Sequence, residues 1–237
     1  FGTVPGFDVA NTRYMIFSGA NRLESFITPD TMDLVETLEK KKAKLVYLDP
    51  RYTVTASKAD TWLPIKPGTD LAFYLALIHV LVTEELYDRD FVERYTVGFD
   101  EVAEAVKETT PEWAEKETEI PAGRIREIAR EFAYYAPRAF IYKGRRTSWT
   151  TNDTEMRQAM AIANALVGSW DKPGGLYPKE SIRQGEVELD VWPPLPDQDC
   201  IVPMGEKHPL TNAADGAYLD FREKVLRDEP YPVRGFF

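Results

Sequence analysis

Two apolar runs, "RYMIFSG" (13–19) and "AKLVYLDP" (43–50), bracket a polar loop and the segment "TPDTMDLVETLEKKK" (28–42). That order constrains the fold more than any other feature. The second run is apolar almost without a break, as in a parallel-sheet strand covered on both faces. Between the runs, Met32, Val35 and Leu38 recur at helical spacing behind a Thr or Asp start signal. Strand, helix and strand so close together predict a right-handed crossover unit. "AFIYKG" (139–144) is a further strand that ends in glycine. The expected fold class is α/β: a doubly wound, mostly parallel, Rossmann-like sheet flanked by helices, plus part of a second α/β domain.

Helical patterns fill the intervals. Asp70 caps a segment running to about Leu86 that is apolar nearly all round and should be interior. Others are expected at about 88–94, 99–108 and 121–136, the last with Ile125, Ile128, Ala129 and Phe132 on one stripe. A long helix from about Thr154 to Trp170 carries Met156, Met160, Ile162, Ala163 and Leu166, and a short one lies near 216–227. From "DKPGG" (171–175) to about Thr211, Pro and Gly crowd together and periodicity disappears. So long an irregular stretch suits a binding loop or a wrap onto other chain. The expected division is a nucleotide-binding domain over 1–147 and a partial second domain over 148–237. The final "EPYPVRGFF" reads as the beginning of a strand over 231–237, so a piece of a longer protein is expected.

Composition excludes several functions. With 43% hydrophobic and 12% aromatic residues in 237, the chain can bury a core large enough to offset ordering entropy. Its formal charge of -10 argues against nucleic acid, whose phosphates demand Lys and Arg. Any anion site must be local. The lone cysteine, Cys200, cannot by itself build a zinc or iron–sulfur site, so no metal ligand is expected within the chain. The most apolar stretch, Leu71 to Val82, is shorter than the roughly 20 residues of a membrane span. His79, within that stretch, reads as a satisfied core residue, far in sequence from His208.

In doubly wound sheets, ligands bind beyond the carboxyl ends of the strands. Three such ends carry candidate chemistry: "FSGANRLES", "LDPRYT" and "YKGRRTS". Gly19 and Asn21 can adopt positive φ and turn N–H groups toward an anion, or form an ordinary turn. Asp49 can accept both hydroxyls of a ribose. Asp70 suits an N-cap, and its carboxylate has lone pairs left to accept the N1–H and 2-amino group of guanine. Lys143, Arg145 and Arg146 form a basic cluster, either a solvated patch or a grip for phosphate or a small oxyanion. No nucleophile elbow or catalytic triad stands out. These residues point to a nucleotide-containing ligand without naming a reaction.

Several motifs occur in a familiar order: "SGAN", "LDPRYTVTASKADTWLPIKPGTDLAFYLALIHVL", "LYDRDFVERYTVGFD", "IPAGRIREIAREFA" and "NALVGSWDKPGG". Together they resemble the central part of the large subunit of molybdopterin oxidoreductases, the dimethyl sulfoxide reductase family. "KGRRTSWTTNDTEMRQAMAIANALVGSWDKPGGLYPKE" looks most like the thiosulfate and polysulfide reductase branch. The resemblance implies two pyranopterin guanine dinucleotides, bis(molybdopterin guanine dinucleotide), holding molybdenum or tungsten. It implies that Asp49, Pro50 and Arg51 meet the guanosine ribose, and Gly68, Thr69 and Asp70 the guanine. The loop of Gly19, Ala20, Asn21 and Glu24 would meet phosphates. Lys143, Gly144, Arg146, Thr147 and Ser148 would approach the pterin, with Arg145 the catalytic candidate that holds an anionic sulfur substrate.

The same resemblance implies an anaerobic respiratory enzyme whose [4Fe-4S] cluster and metal ligand lie outside this chain. Its partners would be an iron–sulfur electron-transfer subunit and a membrane anchor subunit, in a periplasmic or other extracytoplasmic setting. The 237 residues alone are expected to be inactive. Within the family, tetrathionate, arsenic oxyanions, nitrate and formate stay open as substrates. An NAD-dependent Rossmann dehydrogenase would also place an acid after the second strand. Against it stand the single glycine, Gly19, and the 30 residues from there to Asp49, where about 20 are usual. A non-catalytic scaffold domain is the third reading.

Overall fold

The computed structural model describes residues 5–25, 29–40, 42–144, 151–178 and 218–235. The chain divides into two compact units, Phe1–Ser181 and Ile182–Phe237. In the first, a four-stranded parallel sheet is built from β2 (Tyr14–Ser18), β3 (Lys44–Leu48), β4 (Thr61–Leu63) and β5 (Ala139–Lys143). Its order is β4-β3-β2-β5, so the chain steps outward on one side of β2 and then returns on the other. β3 and β5 are therefore both hydrogen-bonded to β2, and their carboxyl ends meet there. A separate antiparallel pair joins β1 (Gly6–Phe7) to β6 (Leu176–Tyr177).

Alternation along the strands decides which helices cover which face. Tyr14, Ile16, Val46, Leu48, Ala139 and Ile141 belong to one core. It also takes in α2 (Asp70–Thr83), α6 (Ala122–Tyr135) and α7 (Asp153–Leu166). Met15, Phe17, Leu45, Tyr47 and Phe140 point the other way, toward Leu34 of α1 (Pro29–Glu39) and Ala56 of a 3-10 turn (Ala56–Lys58). α2 is buried over most of its circumference, as its composition requires, and its Ala72, Phe73, Ala76, Leu77 and Val80 are all core residues. Ile125, Ile128, Ala129 and Phe132 are buried along α6. α3 (Arg89–Tyr95) starts on Asp88, whose side chain accepts from Phe91 N, and α4 (Phe99–Ala105) follows.

Several expectations need correction. On α1, Met32 is 62% exposed, while Leu34 is buried. Leu34, not Met32, joins the core that contains Met15 and Leu45. α2 starts on Thr69, so Asp70 is its first helical residue and not the cap. α5 (Pro111–Thr118), with its Thr110 cap accepting from Trp113 N, and the short strand β4 carry too little apolar periodicity to stand out. The supposedly irregular run after Asp171 contains β6, which pairs with β1 and is bridged to Trp170. α7 stops at Leu166, where Gly168 turns at φ +66°, and it packs on α2 and β5 within the first unit. In the second unit α8 (Tyr218–Leu226) is described, and Tyr231–Gly235 beyond it form no strand.

Candidate functional site

Parallel pairing places Ser18 opposite both Leu48 and Lys143, so the first residues past three strands fall side by side. Gly19 N donates to Leu48 O at 2.9 Å, and Gly144 N donates to Ser18 O at 2.8 Å. Gly19 turns at φ +55°, a conformation that glycine adopts without strain. Gly144 leaves no room for a side chain, because a Cβ there would lie 2.2 Å from Ser18 O and 2.4 Å from Gly19 O. These two glycines let the chain diverge, and a crevice of about 720 Å³ opens between them. It gathers Gly19, Ala20, Asn21, Asp49, Arg51 and Gly144 from the expected set.

Asp49 is held in place from two sides. One oxygen accepts the Tyr47 hydroxyl at 2.9 Å and the other accepts Arg51 N at 2.8 Å, while Trp62 Nε1 donates to its carbonyl at 2.9 Å. Each carboxylate oxygen retains a lone pair. Asn21 braces the loop: its Oδ1 accepts Thr55 Oγ1 at 2.8 Å and its Nδ2 donates to Glu24 at 2.6 Å. Its φ is not positive, so Gly19 alone makes the left-handed turn in this loop. Glu24 is thereby committed to Asn21, lies 3.7 Å from Arg51 and does not line the crevice. Pro50 is exposed beside it.

Gly68, Thr69 and Asp70 lie off the crevice wall, at the start of α2. Gly68 turns at φ +82°, and the Thr69 hydroxyl is tied to Lys66 O at 2.7 Å. Burial raises the Asp70 carboxyl above the ordinary aspartate value, its own backbone N–H opposes the rise, and the charge of Asp49 adds to it. The two acids therefore share one electrostatic neighbourhood. The hydroxyls of Ser18 and Tyr74 are hydrogen-bonded to each other, joining the end of β2 to the second turn of α2. Burial also drives the Tyr74 hydroxyl far above its usual range.

Lys143 is set apart from these residues. It follows Ile141 on the α7 face and lines a different cavity, whereas Tyr142 faces the crevice. Arg145, Arg146, Thr147 and Ser148 lie outside the described residues, as do Cys200 and His208. His79 is half-buried, with Nδ1 2.8 Å from Val106 O, as a core histidine would be. Arg22, Ser25, Thr53 and Tyr142 complete the wall; they fall within the strand-end segments expected from sequence but were not singled out there. The Arg22 guanidinium sits 5.6 Å from the centre of the Tyr142 ring. Tyr142 was legible as the period-2 partner of Phe140; the other three carry no pattern of their own. Among the described residues, no cluster of three or more His, Cys, Asp or Glu could hold a metal, and no helix is long and apolar enough to cross a membrane.

Residues 3–212 match the molybdopterin oxidoreductase family. The chain is 37% identical over 241 residues to the thiosulfate reductase molybdopterin-containing subunit PhsA of Salmonella typhimurium, covering 97% of this chain and 32% of that protein. It is 32% identical to the dimethyl sulfoxide reductase DmsA of Escherichia coli, covering 77% of this chain and 25% of that one. The solved structure of acetylene hydratase from Pelobacter acetylenicus superimposes with a TM-score of 0.67 at 34% identity, over 74% of this chain and 24% of its own. The chain thus spans a third or less of the length of these relatives. With the parallel sheet and its crevice, these matches establish that the chain belongs to the molybdopterin oxidoreductase family.

Proposed function

We propose that the chain supplies one nucleotide-binding half-site of a bis(pyranopterin guanine dinucleotide) enzyme. The observation that carries this is the convergence of Gly19, Asp49, Arg51 and Gly144 on one crevice, with the Asp70 carboxyl within electrostatic reach of Asp49. The donor set fits the group. Turning backbone and Arg51 suit phosphates, Asp49 retains lone pairs for sugar hydroxyls, and no other described residue donates to the Asp70 side chain. A guanine edge offers two parallel donors that would replace the lost hydration of Asp70 and favour its ionised form. The matched family favours such a pterin nucleotide over nicotinamide.

When bound, the molybdenum or tungsten cofactor supplies the two-electron chemistry. This chain's residues orient and hold. Asp49 fixes the ribose because Tyr47 and Arg51 N hold its carboxylate, Asp70 reads the base, and the Gly19–Asn21 turn seats the phosphates. Gly68, Thr69, Pro50 and Glu24 shape the adjoining loops, and Gly144 opens the way toward Arg145–Ser148, the proposed pterin-facing segment. Arg145 is the residue we assign to the substrate anion.

For the whole protein we infer reduction of an inorganic sulfur compound such as thiosulfate or polysulfide, supported by the thiosulfate reductase relative. Electrons would arrive through a [4Fe-4S] cluster and an iron–sulfur subunit, with a membrane anchor subunit as third partner. The relative named acetylene hydratase shows that family membership does not dictate the reaction. Two measurements test this reading. Acid release of GMP from the purified full-length protein, in step with its molybdenum or tungsten content, is expected; another nucleotide or none would refute the half-site. Reduced-viologen oxidation should be faster with thiosulfate or polysulfide than with dimethyl sulfoxide, and the isolated 237-residue chain should show no turnover.

A further inference from the structure

At the β5 edge of the sheet, a cavity of about 350 Å³ lies between β5, α7 and the β1–β6 pair. Phe7, Met160 and Leu176 make much of its wall apolar. Its polar side chains are distributed unevenly. Asn164 is committed to strand backbone: its Oδ1 accepts Ile141 N at 2.9 Å, and its Nδ2 donates to Met160 O at 2.9 Å. Arg157 has its counter-charge in Asp153, with Nε 3.1 Å from Oδ1, and a longer bond to Gly144 O. Lys143 is half-buried beside this pair, and no described carboxylate lies within ion-pair distance of it.

One positive charge is therefore left over in a chain whose net charge is -10. Burial, then repulsion from Arg157, lowers the Lys143 ammonium below the ordinary lysine range, and Asp153 offsets this only in part. Desolvating a cation without supplying its partner is costly unless something else brings the opposite charge. Thr154 and Gln158, one helical turn apart on α7, add uncharged hydrogen-bonding groups at the same mouth.

We propose that this cavity binds a small monoanion with an apolar body, in class a short-chain carboxylate or sulfonate, its charge on Lys143 and Arg157 and its chain against Phe7, Met160 and Leu176. The single uncompensated charge sets the valence, and the apolar walls set the body. The proposal rests on polar side chains that the dinucleotide reading does not use, Lys143 and Arg157, although the two sites adjoin where Phe7 packs on Tyr142 and Arg157 reaches Gly144 O.

The test is competitive labelling of the purified full-length protein with acetic anhydride, read by mass spectrometry at Lys143 and, as a control, at exposed Lys58. Butyrate and 1-propanesulfonate should slow Lys143 acetylation saturably and leave Lys58 unchanged. Sulfate at equal ionic strength, and neutral butyramide, should protect weakly. Because a charge-assisted hydrogen bond to the anion is lost, Arg157→Gln should raise the half-protecting concentration about tenfold or more. Arg157→Lys, which keeps the charge, should retain binding. Protection by neither alkyl anion, or equal protection by sulfate or butyramide, overturns the proposal, and so does an unchanged half-protecting concentration in folded Arg157→Gln protein. GMP content is unaffected by any of these outcomes, so the two readings fail separately.

Discussion

At the amino end of the sheet, Glu131 takes the Tyr14 hydroxyl on one oxygen at 2.9 Å and the Lys44 ammonium on the other at 2.5 Å. At the carboxyl end, Asp70 is half-buried between helix and strand, yet no other described residue donates to its side chain. The amino end goes further toward self-sufficiency. Arg138 clamps Asn11 O with two donors, at 2.8 and 2.6 Å, and the buried Thr12 hydroxyl is satisfied by Arg138 O. The strands at both ends are the same, so secondary structure cannot explain the difference. A closed polar network contributes to folding, whereas a desolvated carboxyl without a partner costs stability that a ligand can restore. The proposed binding end thus differs from the amino end in how its acid is partnered, Asp70 having only its own backbone N–H among the described residues.

Four changes should break or sharpen that contrast. The largest effect is expected for Gly144→Ala, whose new Cβ would collide with the backbone of Ser18 and Gly19 where the crevice opens. Urea denaturation should show a loss of about 3 kcal/mol, accompanied by loss of bound nucleotide, since overpacked sites of this kind cost about 1–3 kcal/mol or somewhat more. Glu131→Ala comes next: stranding Lys44 and Tyr14 should cost about 2 kcal/mol in the same measurement, with GMP content per folded molecule unchanged.

Asp70→Asn should invert that pattern. Stability of the cofactor-free protein is expected to stay within about 0.5 kcal/mol or rise, while GMP retention falls about tenfold, since a charge-assisted pair to the base is lost. The smallest effect concerns pH. The folded-state pKa of Asp70 is raised, so folding takes up a proton between the unfolded and folded values. Its stability contribution is complete below the unfolded carboxylate value and fades as pH rises through the folded one. Thermal melts of the cofactor-free protein should therefore fall more steeply over that window than melts of Asp70→Asn. Equal slopes would remove Asp70 from the unsatisfied set.

Legibility in the sequence followed the strength of local pattern. β2, β3 and β5 were readable because buried parallel strands are near-continuous apolar runs, and α2 and α6 because their apolar residues fill or stripe the helix. β4, only three residues long, and the β1–β6 pair have no such signal, since their existence depends on partners distant in the chain. Of the crevice, Gly19 and Asp49 were visible as residues that follow strands. Thr53 and Arg22 were not, because the turns that bring them in carry no periodicity. Lys143 was readable as a cation at a strand end, but its place beside Arg157 and its separation from Tyr142 depend on which face each side chain takes.

By itself, the sequence determined an α/β chain with parallel strands, its family, and the acids and glycines that follow those strands, because apolar spacing and motif order are written locally. Only the tertiary structure decided the order β4-β3-β2-β5, which brings the ends of β2, β3 and β5 together. It alone assigned Lys143 and Tyr142 to opposite faces and left the Asp70 side chain, among the described residues, with no donor beyond its own backbone N–H. Pairing order, side of the sheet and hydrogen-bond satisfaction are relations between segments far apart in the chain, and they come into being only when the core closes.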